Sequence, residues 1–328
     1  GGVTLRRRRC RSALSPPNPK RSMSASPSSK IILGSRGSEL ARAQTALAAD
    51  ALTRAWPNLE IATKIISTLG DVRTAEPIDA QAGRKGLFTG EIERALVAGE
   101  IDVAIHSAKD LPSEMTSGLS LAAVLPRASV EDVLITRNGA VPAGKIATGS
   151  VRRRHQLLWK FPGAEVVDLR GNVPTRLRKF LASNWRAIVL ARAGLERLGY
   201  EAGGGLFEFD GAALHVQRLS PDDFLPAGGQ GIIALQIRND DRNANGSADA
   251  VNHAETFACI EAEREFLRLL QGDCGSPVGV LATVSSGTMT VRAQVFESSR
   301  VEPRAARVDG ESSTPKKLAR ELWEKIHG

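Results

Sequence analysis

Residues 30–56 read KIILGSRGSELARAQTALAADALTRAW, and this stretch decides the fold. Lys30–Leu33 is a short apolar run of strand type. A turn of small residues follows, carrying Arg36 and closed by Ser38. From there to Trp56, the residues Leu40, Ala43, Leu47, Ala51 and Leu52 recur at helical spacing, with Ser38 placed as an N-cap. The same grammar continues along the chain. Ile61–Ser67 predicts a strand, Gly90–Ala98 a short helix after a glycine-bearing loop, and Ile101–Ile105 a buried strand. Alternation of this kind builds α/β layers around a mostly parallel sheet.

A second half repeats the order. Lys145–Ala147 leads into Gly149–Ser150 and a helix through Trp159. Glu165–Leu169 is a strand, Val173–Leu181 a helix and Ala187–Leu190 a strand. The segment Asp102–Leu111 lies over Arg186–Leu195, and Ile32–Ser38 matches Ile146–Ser150 in role. Two similar α/β units facing each other make a cleft. Ligands of such sheets sit at the carboxyl ends of strands, beside helix N-termini whose free N–H groups favour anions. A third piece follows. Leu225–Ile237 is a glycine loop entering an apolar run, and Asn239–Ala250 reads as a polar linker. Glu255–Leu270 is a helix, Val278–Val284 and Met289–Phe296 alternate like a hairpin, and Leu318, Leu322 and Ile326 line a closing amphipathic helix.

Charge is unevenly placed. The 328 residues carry a formal charge of +8, from 44 Lys+Arg against 36 Asp+Glu. Residues 1–30 hold Arg6, Arg7, Arg8, Arg9, Arg11, Lys20, Arg21 and Lys30 and no acid, so the remainder is formally neutral. A neutral body and an aromatic content of 4% argue against nucleic-acid binding. No stretch approaches the ~20 apolar residues of a spanning helix, so no membrane partner is expected. Cys10, Cys259 and Cys274 are too few for a disulfide framework and suit a reducing compartment. The five histidines show no zinc-ligand spacing, and the phosphate-loop and dinucleotide glycine patterns are missing. The first thirty residues, Arg- and Ser-rich, are expected to be a disordered basic tail. Three readings of it stay open: an organelle transit peptide, upstream sequence ahead of a start at Met23, or a basic arm.

Cations gather where the cleft is expected. Arg36 lies in the first turn, Arg84 and Lys85 in the second loop, and Lys109 after the buried strand. Arg152, Arg153 and Arg154 open the helix after Ser150, Arg170 ends a strand and Arg176 is on the next helix. Guanidinium forks bind carboxylates bidentately, so the set points to a ligand with several carboxylates or phosphates. Any one of them could instead be solvated or structurally paired. Asp110 is the lone acid in the set. It either stabilises a developing cation or moves a proton, or it caps a turn and pairs with Lys109. Cys274, in the small-residue loop Gly272–Gly279, is the thiol placed for chemistry, with a structural loop cysteine as the alternative. Cys259, in a helical run, reads as a core residue.

Seven strings in order resemble the porphobilinogen deaminase family: Leu33–Ser38 with Gln44, Lys85–Phe88, His106–Pro112, Gly149–Arg153, Leu169–Val173 with Thr175-Arg176, Pro226–Gly231 and Gly272–Pro277. The resemblance spans about residues 31–328. It implies two periplasmic-binding-protein-like (type II) α/β domains around a cleft, plus a small C-terminal α+β domain. The implied division is 31–125 with 219–238, then 126–218, then 239–328. It implies joining of four porphobilinogens head to tail with loss of ammonia, and hydrolytic release of 1-hydroxymethylbilane for tetrapyrrole biosynthesis. The implied cofactor is a dipyrromethane on a thioether to Cys274, with Asp110 as the catalytic acid. Lys109, Ser150, Arg152, Arg153, Arg170 and Arg176 would hold acetate and propionate groups. Arg36 and Ser38 would sit at the substrate end, with Lys85 in a loop over the cleft. A cytoplasmic monomer acting on a small molecule is expected. The chain departs from the family at Ala108, usually Met, at Glu39, usually Pro, at Gly275, commonly larger, and in Ala82–Lys85, where two glycines usually precede the lysine.

Overall fold

Helix α1 (Glu39–Ala55) follows strand β1 (Lys30–Arg36) as expected, and the Ser38 hydroxyl caps it by accepting the Ala41 N–H at 3.3 Å. Its buried face differs from the expected one. Gln44, Thr45, Ala48 and Leu52 turn inward, while Leu47 is exposed. The polar pair is tolerated because its hydrogen bonds are made: Gln44 with the Ser107 hydroxyl at 2.8 Å, Thr45 with Ser35 at 2.7 Å. This computed structural model describes residues 30–67, 89–139, 143–271, 276–297 and 301–328. Residues 1–29 of the expected basic tail, Lys85 and Cys274 lie outside the described residues, and Lys30, counted with the tail, is the first residue of β1.

The first sheet runs in the order β2 (Glu60–Ile66), β1, β3 (Val103–Ser107), β11 (Ile233–Arg238), β4 (Leu119–Val124). Strands β1, β2 and β3 are parallel, and β11 enters antiparallel between β3 and β4. Helix α2 (Gly90–Val97) covers one face and α1 the other. The second sheet runs β7 (Ala164–Val167), β6 (Gly144–Ala147), β8 (Ala187–Ala191), β5 (Asp132–Thr136), β10 (Ala212–Leu219), β9 (Gly205–Phe209). Here β6, β7 and β8 are parallel and β5 antiparallel to β8. The helices of this unit are α3 (Val151–Lys160), α4 (Val173–Leu181) and α5 (Arg192–Arg197). The two sheets share one plan: a helix-followed central strand, a parallel strand on each side, then an antiparallel strand reached by crossing between units. That is the periplasmic-binding-protein-like arrangement. The strings that align in sequence, around 102–111 and 186–195, occupy equivalent strands, β3 and β8.

The third unit is an antiparallel sheet of β12 (Val278–Ser285), β13 (Thr288–Val295) and β14 (Arg304–Glu311), backed by α7 (Ala254–Leu269) and α8 (Pro315–His327). Phe266, Val280, Met289 and Val291 are buried with Leu318, Leu322 and Ile326 in its core. Strand β14 adds to the expected hairpin. The expected linker over 239–250 is instead mostly helix α6 (Arg242–Asp249), capped by Asp241 accepting from the Ala244 N–H at 2.8 Å. Ala244 and Ala248 bury against the first sheet, and Trp56 donates its indole N–H to the Ser247 carbonyl at 3.3 Å. Small residues on one face let a polar sequence dock closely.

Candidate active site

Four strand ends supply the side chains. Strand β1 ends at Arg36, just before Ser38. Strand β3 ends in a single 3₁₀ turn, Ala108–Asp110, which presents Lys109 and Asp110 and stops ahead of Pro112. Strand β6 leads to Ser150, the N-cap of α3, whose hydroxyl accepts the Arg153 N–H at 3.4 Å. Strand β7 leads to Asp168 and Arg170. Asn172 then caps α4, which carries Arg176. Each capping hydroxyl still has its own O–H to donate.

The 3₁₀ turn is held from behind by glycines. Gly229 has φ +76°, and a Cβ there would stand 2.8 Å from the backbone of Ala108 and Lys109. Gly231, at φ +84°, would meet the Ala128 carbonyl at 2.6 Å. Gly229 is therefore a close backbone approach that seats the Asp110 turn, and Gly231 one that meets the crossover at Ala128 and Ser129. Beneath the turn, His106 shares a hydrogen bond with Gln236 at 2.9 Å, and Gln236 donates to Glu93 at 2.8 Å. Burial pushes the His106 imidazole down to about 4, so it is neutral near pH 7 and acts as part of the scaffold.

Arg152 and Arg153 are both buried and share one fully buried carboxylate, Asp132, at 2.8 and 2.7 Å. Asp132 also accepts from the Gln230 side chain at 2.9 Å. Arg152 further donates to Gln156 and the Leu225 carbonyl, each at 2.8 Å, and Arg153 to the Val189 carbonyl at 3.1 Å. Despite this, Nε of both arginines is buried with no hydrogen-bond partner among the described residues. Burial opposes ionisation of Asp132, but the two guanidiniums outweigh it and hold the carboxyl well below its usual range.

Charges from both α/β units meet here. Burial lowers Lys109, whose charge is supported by Asp110 and Asp132 and opposed by Arg153 and Arg176. Burial lowers Arg176 to about 10, with Arg153 adding to the effect and Asp110 and Asp168 opposing it. Arg36 and Asp110 both act on His106. Among the described residues, the five cations Lys109, Arg152, Arg153, Arg170 and Arg176 face the three acids Asp110, Asp132 and Asp168, leaving positive charge in excess. Arg170 stands farther out, about one-third exposed and paired with Asp168 at 2.7 Å. A pocket joins Lys109, Ser150 and Arg152 to Arg264 on α7 and to Ser276 at the foot of the third unit.

Three participants have roles that no motif assigns them, although Gln230 lies inside the Pro226–Gly231 string. Asp132 is the first residue of a strand, Gln230 sits inside a glycine loop, and Arg264 lies in the ordinary-looking helical string Glu261–Glu265. Nothing local distinguishes them, because their partners lie twenty or more residues away in sequence. No group of three or more metal-ligating side chains occurs among the described residues.

A cationic pocket between two α/β units, with serine-capped helix N-termini and a third unit at its side, defines an anion-binding protein with an acid held among cations. A family model described as "Porphobilinogen deaminase, dipyromethane cofactor binding domain" matches residues 31–246, and one described as "Porphobilinogen deaminase, C-terminal domain" matches residues 257–328. The chain belongs to the porphobilinogen deaminase family, a family of transferases. A porphobilinogen deaminase of Moorella thermoacetica is 39% identical over 302 residues, covering 90% of this chain and 93% of that one. One from Roseiflexus sp. is 42% identical over 270 residues, covering 81% and 85%. Among solved structures, the periplasmic VFT2 domain of Bordetella pertussis BvgS matches at TM-score 0.42 and 15% identity, over 68% of this chain and 86% of that one.

The donor set fits a dipyrromethane. Such a group carries two carboxylates on each pyrrole. The excess positive charge, with buried Nε–H donors of Arg152 and Arg153 lacking acceptors, is what a polycarboxylate would satisfy.

Proposed function

We propose that this protein condenses four porphobilinogens head to tail with loss of four ammonias, then releases 1-hydroxymethylbilane by hydrolysis, with Cys274 carrying the dipyrromethane through a thioether. The observation that carries this reading is the convergence of Lys109, Asp110, Arg153 and Arg176 on one site, with cations in excess. When bound, the cofactor supplies the pyrrole carbon from which the product chain grows. Lys109, Ser150, Arg152, Arg153, Arg170 and Arg176 hold the acetate and propionate groups. Their forks fix ring orientation, and their fields make a carboxylate-rich ligand tolerable in a half-buried pocket. Arg36 and Ser38 serve the incoming substrate, and Lys85 the loop over it. Asp110 would take the pyrrole N–H groups as hydrogen-bond donors. Loss of ammonia leaves an azafulvene-like cation, and a carboxylate fixed at the ring nitrogens stabilises that charge as it develops.

The protein works as a cytoplasmic monomer. Cysteine usage supports the compartment, and no helix among the described residues is long and apolar enough to cross a membrane. The exposed large apolar side chains Leu47, Ile65, Val97, Leu158, Leu206 and Val301 come from separate segments, which supports the monomer.

Intact-protein mass tests the reading. The purified chain is expected to exceed its sequence mass by two linked pyrroles, and Cys274→Ala to remove the excess. A chain of unmodified mass that still consumes porphobilinogen refutes the cofactor assignment.

A further inference from the structure

Glu93 is buried in the first turn of α2, on the face of the first sheet opposite α1. Its two carboxylate oxygens accept from different parts of the chain. Oε1 takes the Gln236 side-chain amide at 2.8 Å, and Oε2 takes the Thr116 hydroxyl at 2.8 Å. Gln236 is fully buried on β11, and its own side-chain oxygen meets His106 Nε2 at 2.9 Å. The Gln236 amide nitrogen is committed to Glu93, so its oxygen faces the imidazole, and Nε2 of the neutral ring carries the proton.

His106 lies four residues before Asp110, and Thr116 six residues after it. One buried side chain therefore grips the chain on both sides of the 3₁₀ turn. The two ties to Glu93 span 23 and 143 residues of sequence, so they fix tertiary position rather than local helix geometry. The turn itself closes with a long bond, 3.2 Å from the Leu111 N–H to the Ala108 carbonyl. A three-residue turn bonded in this way is placed by its surroundings: Gly229 behind it and the ties at its flanks. The charges of Glu93 and Asp110 both reach the His106 ring, which sets the network directly beneath the site. We infer that Glu93 is a positioning residue for Asp110: through Gln236 and His106 on one side, and Thr116 on the other, it sets where the Asp110 carboxylate stands. The inference rests on the role proposed for Asp110 above. A carboxylate that meets a developing charge works only in its place, so loosening the turn slows the chemistry and leaves the groups that bind carboxylates untouched.

The experiment measures porphobilinogen turnover per cofactor-loaded chain, with loading read by intact mass, in Glu93→Leu, Glu93→Gln and Thr116→Val. Glu93→Leu removes both acceptors. Its kcat is expected to fall about tenfold, with KM within about twofold of wild type. Glu93→Gln keeps an oxygen for Gln236 and turns its amide towards the Thr116 hydroxyl, so it should restore most of kcat. Thr116→Val, at an exposed position, loses one tie and should lower kcat about twofold. In an Asp110→Asn background, Glu93→Leu is expected to cost nothing further. Wild-type kcat in Glu93→Leu overturns the inference. An equal fall in Glu93→Gln also overturns it, because charge rather than the two ties would then be the cause. So does a further loss of the same size in the Asp110→Asn background. If Glu93→Leu does not fold, Thr116→Val decides, and its turnover at the wild-type kcat overturns the inference. Near-normal turnover by Asp110→Asn alone refutes the role proposed for Asp110 instead, so the two failures are distinct.

Discussion

Two buried ion clusters stand near the crossovers between the α/β units, and they differ in how completely they are closed. In the first, Glu263 on α7 takes Arg127 at 2.5 Å and the N–H groups of Gly229 and Ala282 at 2.6 and 2.8 Å. Arg127 spends its remaining donors on the Gln230 and Ala282 carbonyls at 2.9 and 3.2 Å. One charge meets one charge, and this cluster fastens the third unit to the crossover. In the second, Asp132 meets Arg152 and Arg153 together, and the Nε atoms of both arginines have no hydrogen-bond partner among the described residues. A buried charge that is fully answered suits a structural role, and one answered only in part suits the site proposed above.

That distinction can be broken by experiment. The largest effect is expected from Asp110→Asn, which keeps the shape and removes the charge. Turnover should fall about a thousandfold, with porphobilinogen still bound and thermal stability held. Near-normal turnover would remove Asp110 from the chemistry. Next is Arg127→Ala, which strands the buried Glu263 carboxylate. Denaturant unfolding should show a loss of about 3–5 kcal/mol, while KM of the folded fraction stays close to wild type. A raised KM with unchanged stability would place this cluster in the site and collapse the contrast. The smallest effect is expected from Arg176→Gln. KM should rise about tenfold, without loss of stability. The sign follows from the guanidinium being lowered to about 10 by burial and by Arg153: the folded state disfavours its charge, so removing that charge offsets the loss of its bond to the Gly171 carbonyl. A marked drop in melting midpoint would make Arg176 structural.

The elements that carry the site were readable because their signals are local. Strand, small-residue turn and serine cap occur within a few residues at both 30–40 and 144–152, and Lys109 and Asp110 follow a buried strand directly. What was unreadable depends on distant partners. The inward turn of Gln44 and Thr45 needs Ser107 and Ser35. The burial of Arg152 and Arg153 needs Asp132, some twenty residues away, and Gln230 in the returning segment. Residues 239–250 look like a linker until the first sheet offers a groove for Ala244 and Ala248. Glu263 looks like one more solvated acid on a charged helix until Arg127 arrives from the crossover.

The antiparallel crossing strands have a consequence for synthesis. Strand β11 seals β3 to β4, yet the ribosome makes it only after the whole second unit has emerged. Between Val124 and Ile233, at roughly 5–20 residues per second, the nascent first sheet waits several seconds or more with the edge of β3 unpaired. That edge ends at the turn bearing Lys109 and Asp110. The site therefore cannot be assembled in pieces: the loop that seats its acid and the strand that closes its sheet reach it together, late, from the far side of the other unit.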